Sequence, residues 1–179
     1  MRDGTGRIID YMRISITDRC NLRCRYCMPD GIQSLPRREI LTLEEMEAVA
    51  ACGARLGIRH IKITGGEPLV RKDCCDLVKR IRKIPGIETV TITTNGILLA
   101  DNLDRLAEAG IDGINISLDT LDPDRYRELT GEERSAGCWK GWIWRRPPIF
   151  RQRSTPYLWI WENRTGRTCW SWEGSGRWM

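Results

Sequence analysis

The 179-residue sequence has one histidine, His60, one phenylalanine, Phe150, and no apolar run approaching the ~18 residues of a spanning helix. That last absence excludes a protein held in a membrane by helices. The segment Met1-Arg2-Asp3-Gly4-Thr5-Gly6 also lacks the apolar core of a signal peptide, so a reducing cytoplasm is the expected location. The eight cysteines are then expected as metal ligands or free thiols in place of disulfides. The length suits one domain, but it falls short of the roughly 250 residues of a complete eight-unit α/β barrel.

Tryptophan is missing from the first 138 residues, and all eight lie between Trp139 and Trp178. Residues 135–179 also hold 8 of the 29 Lys and Arg but only 2 of the 24 Asp and Glu, a net of +6, which leaves −1 for residues 1–134. Two compositions are joined, so the chain is read as a core over 1–134 and a basic, Trp-rich tail over 135–179.

The core alternates strand and helix patterns. Asp10 to Ile16 reads as a strand, followed by a cysteine-bearing loop from Thr17 to about Gly31. Thr42 with Glu45 makes a capping box for a helix with apolar positions Leu43, Met46, Val49, Ala50 and Leu56, ending at Gly57. His60 to Thr64 reads as a strand, Gly65-Gly66-Glu67-Pro68 as a turn, and Asp76 to Ile84 as a helix stopped by Pro85-Gly86. Glu88 to Thr93 is a third strand ended by Asn95-Gly96, Leu98 to Ala109 a helix, Gly113 to Leu118 a fourth strand, and Asp122-Pro123 opens a helix through Leu129. Four successive β–α units imply a parallel sheet and a partial, TIM-like (β/α) barrel. The unusual residues follow the strands' C-terminal ends, the face where such barrels place their chemistry.

Cys20, Cys24 and Cys27 put three thiols within eight residues. Structural zinc asks for four ligands, and His60 is far along the chain, so three thiolates suit a [4Fe-4S] cluster with one iron left open better than they suit zinc.

The C-x3-C-x2-C loop with Tyr26 before its last Cys, followed by Gly65-Gly66-Glu67-Pro68, resembles the radical S-adenosylmethionine superfamily. Within it, Arg13-Ile14-Ser15-Ile16-Thr17-Asp18-Arg19-Cys20-Asn21, Cys27-Met28-Pro29, Lys62 to Arg71, Thr93-Thr94-Asn95-Gly96 and Ile114 to Asp119 are similar to the MoaA family of GTP 3′,8-cyclases of molybdenum cofactor biosynthesis, over roughly residues 7–131. The resemblance implies that Cys20, Cys24 and Cys27 hold one [4Fe-4S] cluster. It implies that Tyr26, Gly66 and Ser117 meet S-adenosylmethionine, and that Arg13, Lys62 and Thr93 meet GTP. Lys62 stands where the family commonly has Arg, keeping the charge but losing the bidentate fork. No catalytic side chain is implied beyond the cluster and S-adenosylmethionine, whose 5′-deoxyadenosyl radical takes the ribose C3′ hydrogen of GTP before closure onto guanine C8. An electron donor is implied as a partner, and a homodimer for full-length members. Cys52, Cys74 and Cys75 match nothing and are expected as small buried or surface residues.

The resemblance stops near Gly131. The family's second, C-terminal cluster has no counterpart, because Cys138 and Cys169 lie thirty-one residues apart with no Cys-x2-Cys pair. Activity is therefore expected to be impaired. Written in GC-rich codons and read one base earlier, Trp139 to Arg146 becomes Leu-Glu-Gly-Leu-Asp-Leu-Ala-Ala, so the tail is expected to be the product of a frameshift and not to fold. The alternatives are an inactive iron-holding fragment, or a basic module that stacks bases or sits at a membrane interface. Trp spacings of three, two, fifteen, two, nine, two and six give the module no steady period, so neither nucleic acid nor membrane is expected as a partner.

Overall fold

A computed structural model describes residues 2–27, 35–120 and 122–132, and the backbone of three further strands. Its elements follow the chain as β1 (Tyr11–Ser15), α1 (Leu43–Arg55), β2 (His60–Thr64), α2 (Cys74–Arg82), β3 (Thr89–Thr94), α3 (Leu99–Ala109), β4 (Gly113–Leu118) and α4 (Pro123–Thr130). β1 to β4 pair in parallel and in sequence order. Consecutive order with right-handed crossovers puts every helix on one side of the sheet, which is the arrangement of a barrel wall.

Local sequence explains the helix ends. The Thr42 hydroxyl accepts the Glu45 N–H at 3.2 Å and the Glu45 carboxylate accepts the Thr42 N–H at 2.8 Å, the reciprocal cap expected for α1. Asp122 accepts the N–H groups of Asp124 and Arg125 ahead of Pro123, and Gly131 closes α4 at a φ of +69°. Two expectations shift. α2 begins at Cys74, not Asp76, because the Leu77 N–H already reaches the Asp73 carbonyl, and it stops at Arg82 ahead of Pro85. Val49 and Leu56 are exposed, since Met46, Ala50 and Gly53 mark the stripe of α1 that meets the sheet.

The two faces of the sheet differ. Ile14, Ile61, Ile63, Val90, Ile92, Ile114 and Ile116 alternate toward the helices and form the core with Met46, Leu77, Ile81 and Leu106. The register sets Arg13 beside Lys62, Lys62 beside Thr91, and Thr93 beside Asn115 on the opposite face, where none of them is fully buried. That face would be the interior of a closed barrel, and it is polar. Among the described residues no helix is long and apolar enough to cross a membrane.

The sheet continues beyond the core. β5 (Tyr157–Glu162) pairs in parallel with β4, and β6 (Cys169–Glu173) and β7 (Arg177–Trp178) follow antiparallel. The expectation of an unfolded tail does not hold at those three segments. β4 would otherwise present a row of unpaired N–H and C=O groups, and Tyr157-Leu158-Trp159-Ile160-Trp161 has the aromatic and branched composition that favours strands. The irregular Trp spacing hid this, because the period of two holds only within each segment. Met28-Pro29 and Cys138 lie outside the described residues.

Candidate functional site

The cysteine loop is fastened to the C-terminal ends of the strands at several points. Pairing of β1 with β2 runs on past Ser15, with the Gly66 N–H donating to the Thr17 carbonyl at 2.7 Å and the Glu67 N–H to the Arg19 carbonyl at 2.8 Å. The two glycines permit this approach. A Cβ on Gly65 would stand 2.7 Å from the Thr17 carbonyl oxygen, and one on Gly66 would run into the Arg19 carbonyl. On the far side, the Arg23 and Arg25 N–H groups donate to the Thr130 and Leu129 carbonyls at the end of α4, both at 3.0 Å. The Tyr26 hydroxyl donates to Asp119 at 2.6 Å, beyond β4. Among the described residues, each of these anchors lies at or before Thr130.

Glu67, only 1% exposed, binds the second and third strand ends together. Its carboxylate accepts from the Thr94 hydroxyl and the Asn95 N–H, each at 2.7 Å, and from the Leu69 N–H at 3.0 Å. Burial nonetheless pushes its pKa up, against the three donors.

Cys20 and Cys24 are half-buried and Cys27 is exposed. Burial raises the Cys20 and Cys24 thiols first; the charges of Glu67 and then Cys27 push Cys20 further up, and those of Asp119, Cys20 and Cys27 push Cys24 further up. Three thiolates here need a cationic centre among them. Among the described residues no three donors are gathered tightly enough for a single ion. A cubane makes a looser demand, because each cysteine bonds a different iron. A second observation fits a group seated there: the Tyr126 hydroxyl is buried with no hydrogen-bond partner among the described residues, and after burial its pKa, pushed up to about 12, responds most to Cys24. In the cluster-free chain Tyr126→Phe is expected to stabilise by about 1 kcal/mol or more, by removing an unsatisfied buried donor, read as a higher urea midpoint.

The remaining candidates fall into two groups. Arg13 and Lys62 are cross-strand neighbours on the polar face, with no acidic partner among the described residues. Thr93 lies on the same face one pleat above Thr91, the register partner of Lys62, and Ser117 lies one pleat above Asn115 on β4. Gly66 and Tyr26 sit in the loops just past the strand ends. Cys74 and Cys75 are buried and Cys52 is exposed, as expected of small packing residues. Sequence reasoning missed Asn95, Asp119 and Tyr126. Asn95 and Asp119 stood in strand-end motifs without a role, and Tyr126 read as ordinary helix.

The family model described as the radical SAM superfamily matches residues 14–140, reaching past Gly131. A protein named GTP 3′,8-cyclase from Pelotomaculum thermopropionicum is 54% identical over 142 residues, 79% of this chain and 44% of its own length. One of the same name from Alkaliphilus metalliredigens is 54% identical over 131 residues, 73% of this chain and 41% of its own. The chain thus spans about two-fifths of the length of these curated relatives. Among solved structures, Streptococcus suis SuiB bound to S-adenosylmethionine is 25% identical with a TM-score of 0.58, over 68% of this chain and 28% of its own. The anSMEcpe structure with bound AdoMet shares the fold at 18% identity and a TM-score of 0.60, over 84% of this chain and 42% of its own.

Proposed function

The chain belongs to the radical SAM superfamily, and from that premise we propose that residues 1–134 are the cluster- and S-adenosylmethionine-binding core of a GTP 3′,8-cyclase. One observation carries the reading. The cysteine loop stands at the C-terminal ends of the same four strands whose polar face presents Arg13 beside Lys62, with no counter-ion among the described residues. Cys20, Cys24 and Cys27 would hold the cluster, Tyr26, Gly66 and Ser117 the S-adenosylmethionine, and Arg13, Lys62 and Thr93 the GTP. The curated relatives' names support GTP as substrate.

When bound, the cluster and S-adenosylmethionine supply a 5′-deoxyadenosyl radical, given one electron from a donor. This chain's residues supply place and charge. Arg13 and Lys62 can meet a triphosphate, Arg13 through a planar fork and Lys62 as a point charge. The glycine pair lets backbone polar groups come close to a ligand at the strand ends.

Positioning decides turnover, since small misplacement costs about a hundredfold in rate. β1 to β4 with β5 alongside present only part of a closed barrel's interior, so substrate and radical are expected to be poorly enclosed. After anaerobic reconstitution with iron and sulfide, about four irons per chain are expected. 5′-Deoxyadenosine should then form slowly, at a rate unchanged by GTP, with no cyclised nucleotide. Iron near zero would overturn the core assignment, about eight would reveal a second cluster, and cyclised product at ordinary enzymatic rates would overturn the impairment.

We also propose that residues 135–179 are foreign to that core and arise from a shifted reading frame. The break in composition supports this, although the family match runs on to residue 140. Sequencing the gene tests it: if no single-base change restores a leucine-rich, family-like frame, the idea is wrong.

A further inference from the structure

Asn95 joins a buried carboxylate to a candidate cluster ligand, and its backbone N–H and both ends of its side-chain amide are directed. Its backbone N–H donates to Glu67 at 2.7 Å, and its side-chain Oδ1 accepts the Ile97 N–H at 3.1 Å. That acceptor bond settles which end of the amide is oxygen, and it leaves both Nδ2 hydrogens facing the cysteine loop. One goes to the Asn21 Oδ1 at 2.8 Å, and the Nδ2 also lies 3.9 Å from the Cys20 Sγ. Among the described residues the Cys20 sulfur receives one other donor, the Leu22 N–H at 3.4 Å. Glu67 holds the neighbouring residue as well, through the Thr94 hydroxyl, which in turn accepts the Gly96 N–H at 2.9 Å. The amide is thus held from the strand end, through Glu67 and Ile97, as well as by Asn21 of the loop it touches.

We propose that Asn95 is a positioning residue that steadies Cys20 and, by donating to its sulfur, makes a cluster held there easier to reduce. The proposal rests on reading Cys20, Cys24 and Cys27 as cluster ligands. One-electron reduction adds negative charge that spreads onto the sulfurs, and an N–H dipole aimed at a sulfur favours the more negative state. A carboxylate in the same place would disfavour it. Asn95 never touches substrate in this scheme, so its effect should appear in the potential before any turnover.

The test reconstitutes the full chain anaerobically as wild type, Asn95→Leu and Asn95→Asp. Iron is counted, and each sample is titrated with dithionite while the reduced signal is followed by electron paramagnetic resonance. Iron contents of about four per chain are expected in all three. At the poise where wild type is half reduced, both variants should be at least tenfold more oxidised, a downward shift of about 59 mV for a one-electron couple. Aspartate should lie at least as low as leucine. If leucine costs the chain its iron while aspartate keeps it, the aspartate titration alone decides. Variants that titrate with a loaded wild type overturn this inference only. A wild type that takes up no iron overturns the reading of the cysteines and this inference with it.

Discussion

Gly66→Val is expected to abolish iron uptake, leaving fewer than one iron per chain after reconstitution where the unaltered chain takes about four. A Cβ at Gly66 would meet the Arg19 carbonyl oxygen and carbon and the Asp18 carbonyl oxygen, the last at 2.8 Å. All three are backbone atoms, so no rotamer change relieves the clash. The segment must separate from the loop, which breaks the bonds from the Gly66 N–H to Thr17 and from the Glu67 N–H to Arg19. Those bonds place Cys20, the residue after Arg19. Steric overlap and two lost hydrogen bonds together cost about 3 kcal/mol or more, within the range where a single change unfolds a local structure. Gly4→Val serves as control, since nothing lies within 4 Å of a Cβ there. Iron analysis and circular dichroism of both chains check the result: full iron in Gly66→Val would show that the loop is placed by its other anchors.

The sequence disclosed the order of strands and helices because several boundaries carry a local cause. Thr42 and Glu45 cap α1, and Asp122 with Pro123 opens α4. It also disclosed the three thiols, whose spacing is itself the signal. What it hid depends on contacts distant in the chain. Asn95 reads as the residue before a turn glycine, yet its amide reaches back 74 positions to Asn21. Asp119 reads as a loop start, yet it receives the Tyr26 hydroxyl from 93 positions away. Tyr126 sits where a helix would bury any aromatic residue, and only the absence of a partner for its hydroxyl among the described residues marks it out. The tail strands were hidden for another reason: their pairing depends on the free edge of β4 as much as on their own residues.

Glu67→Ala is expected to lower stability by about 3 kcal/mol or more, a large share of the roughly 5–15 kcal/mol of a whole domain. The change leaves the Leu69 N–H, the Thr94 hydroxyl and the Asn95 N–H without their acceptor in a site closed to water. Each unsatisfied donor costs about 1–3 kcal/mol, while removal of a buried charge offsets part of the sum. Glu67→Gln should cost less, since its oxygen still serves two donors and only its amide opposes the Asn95 N–H. The two variants also separate charge from shape. Burial raises the folded-state pKa of Glu67, so the protonated carboxyl is the form the fold favours. Its contribution is complete below the ordinary carboxylate range and is lost as pH rises through the raised value. Glutamine has no such dependence, so the stability advantage of wild type over Glu67→Gln should shrink from acid toward neutral pH. Urea midpoints of both chains across that interval measure the difference, and an advantage that grows toward neutrality would show that the three donors outweigh burial.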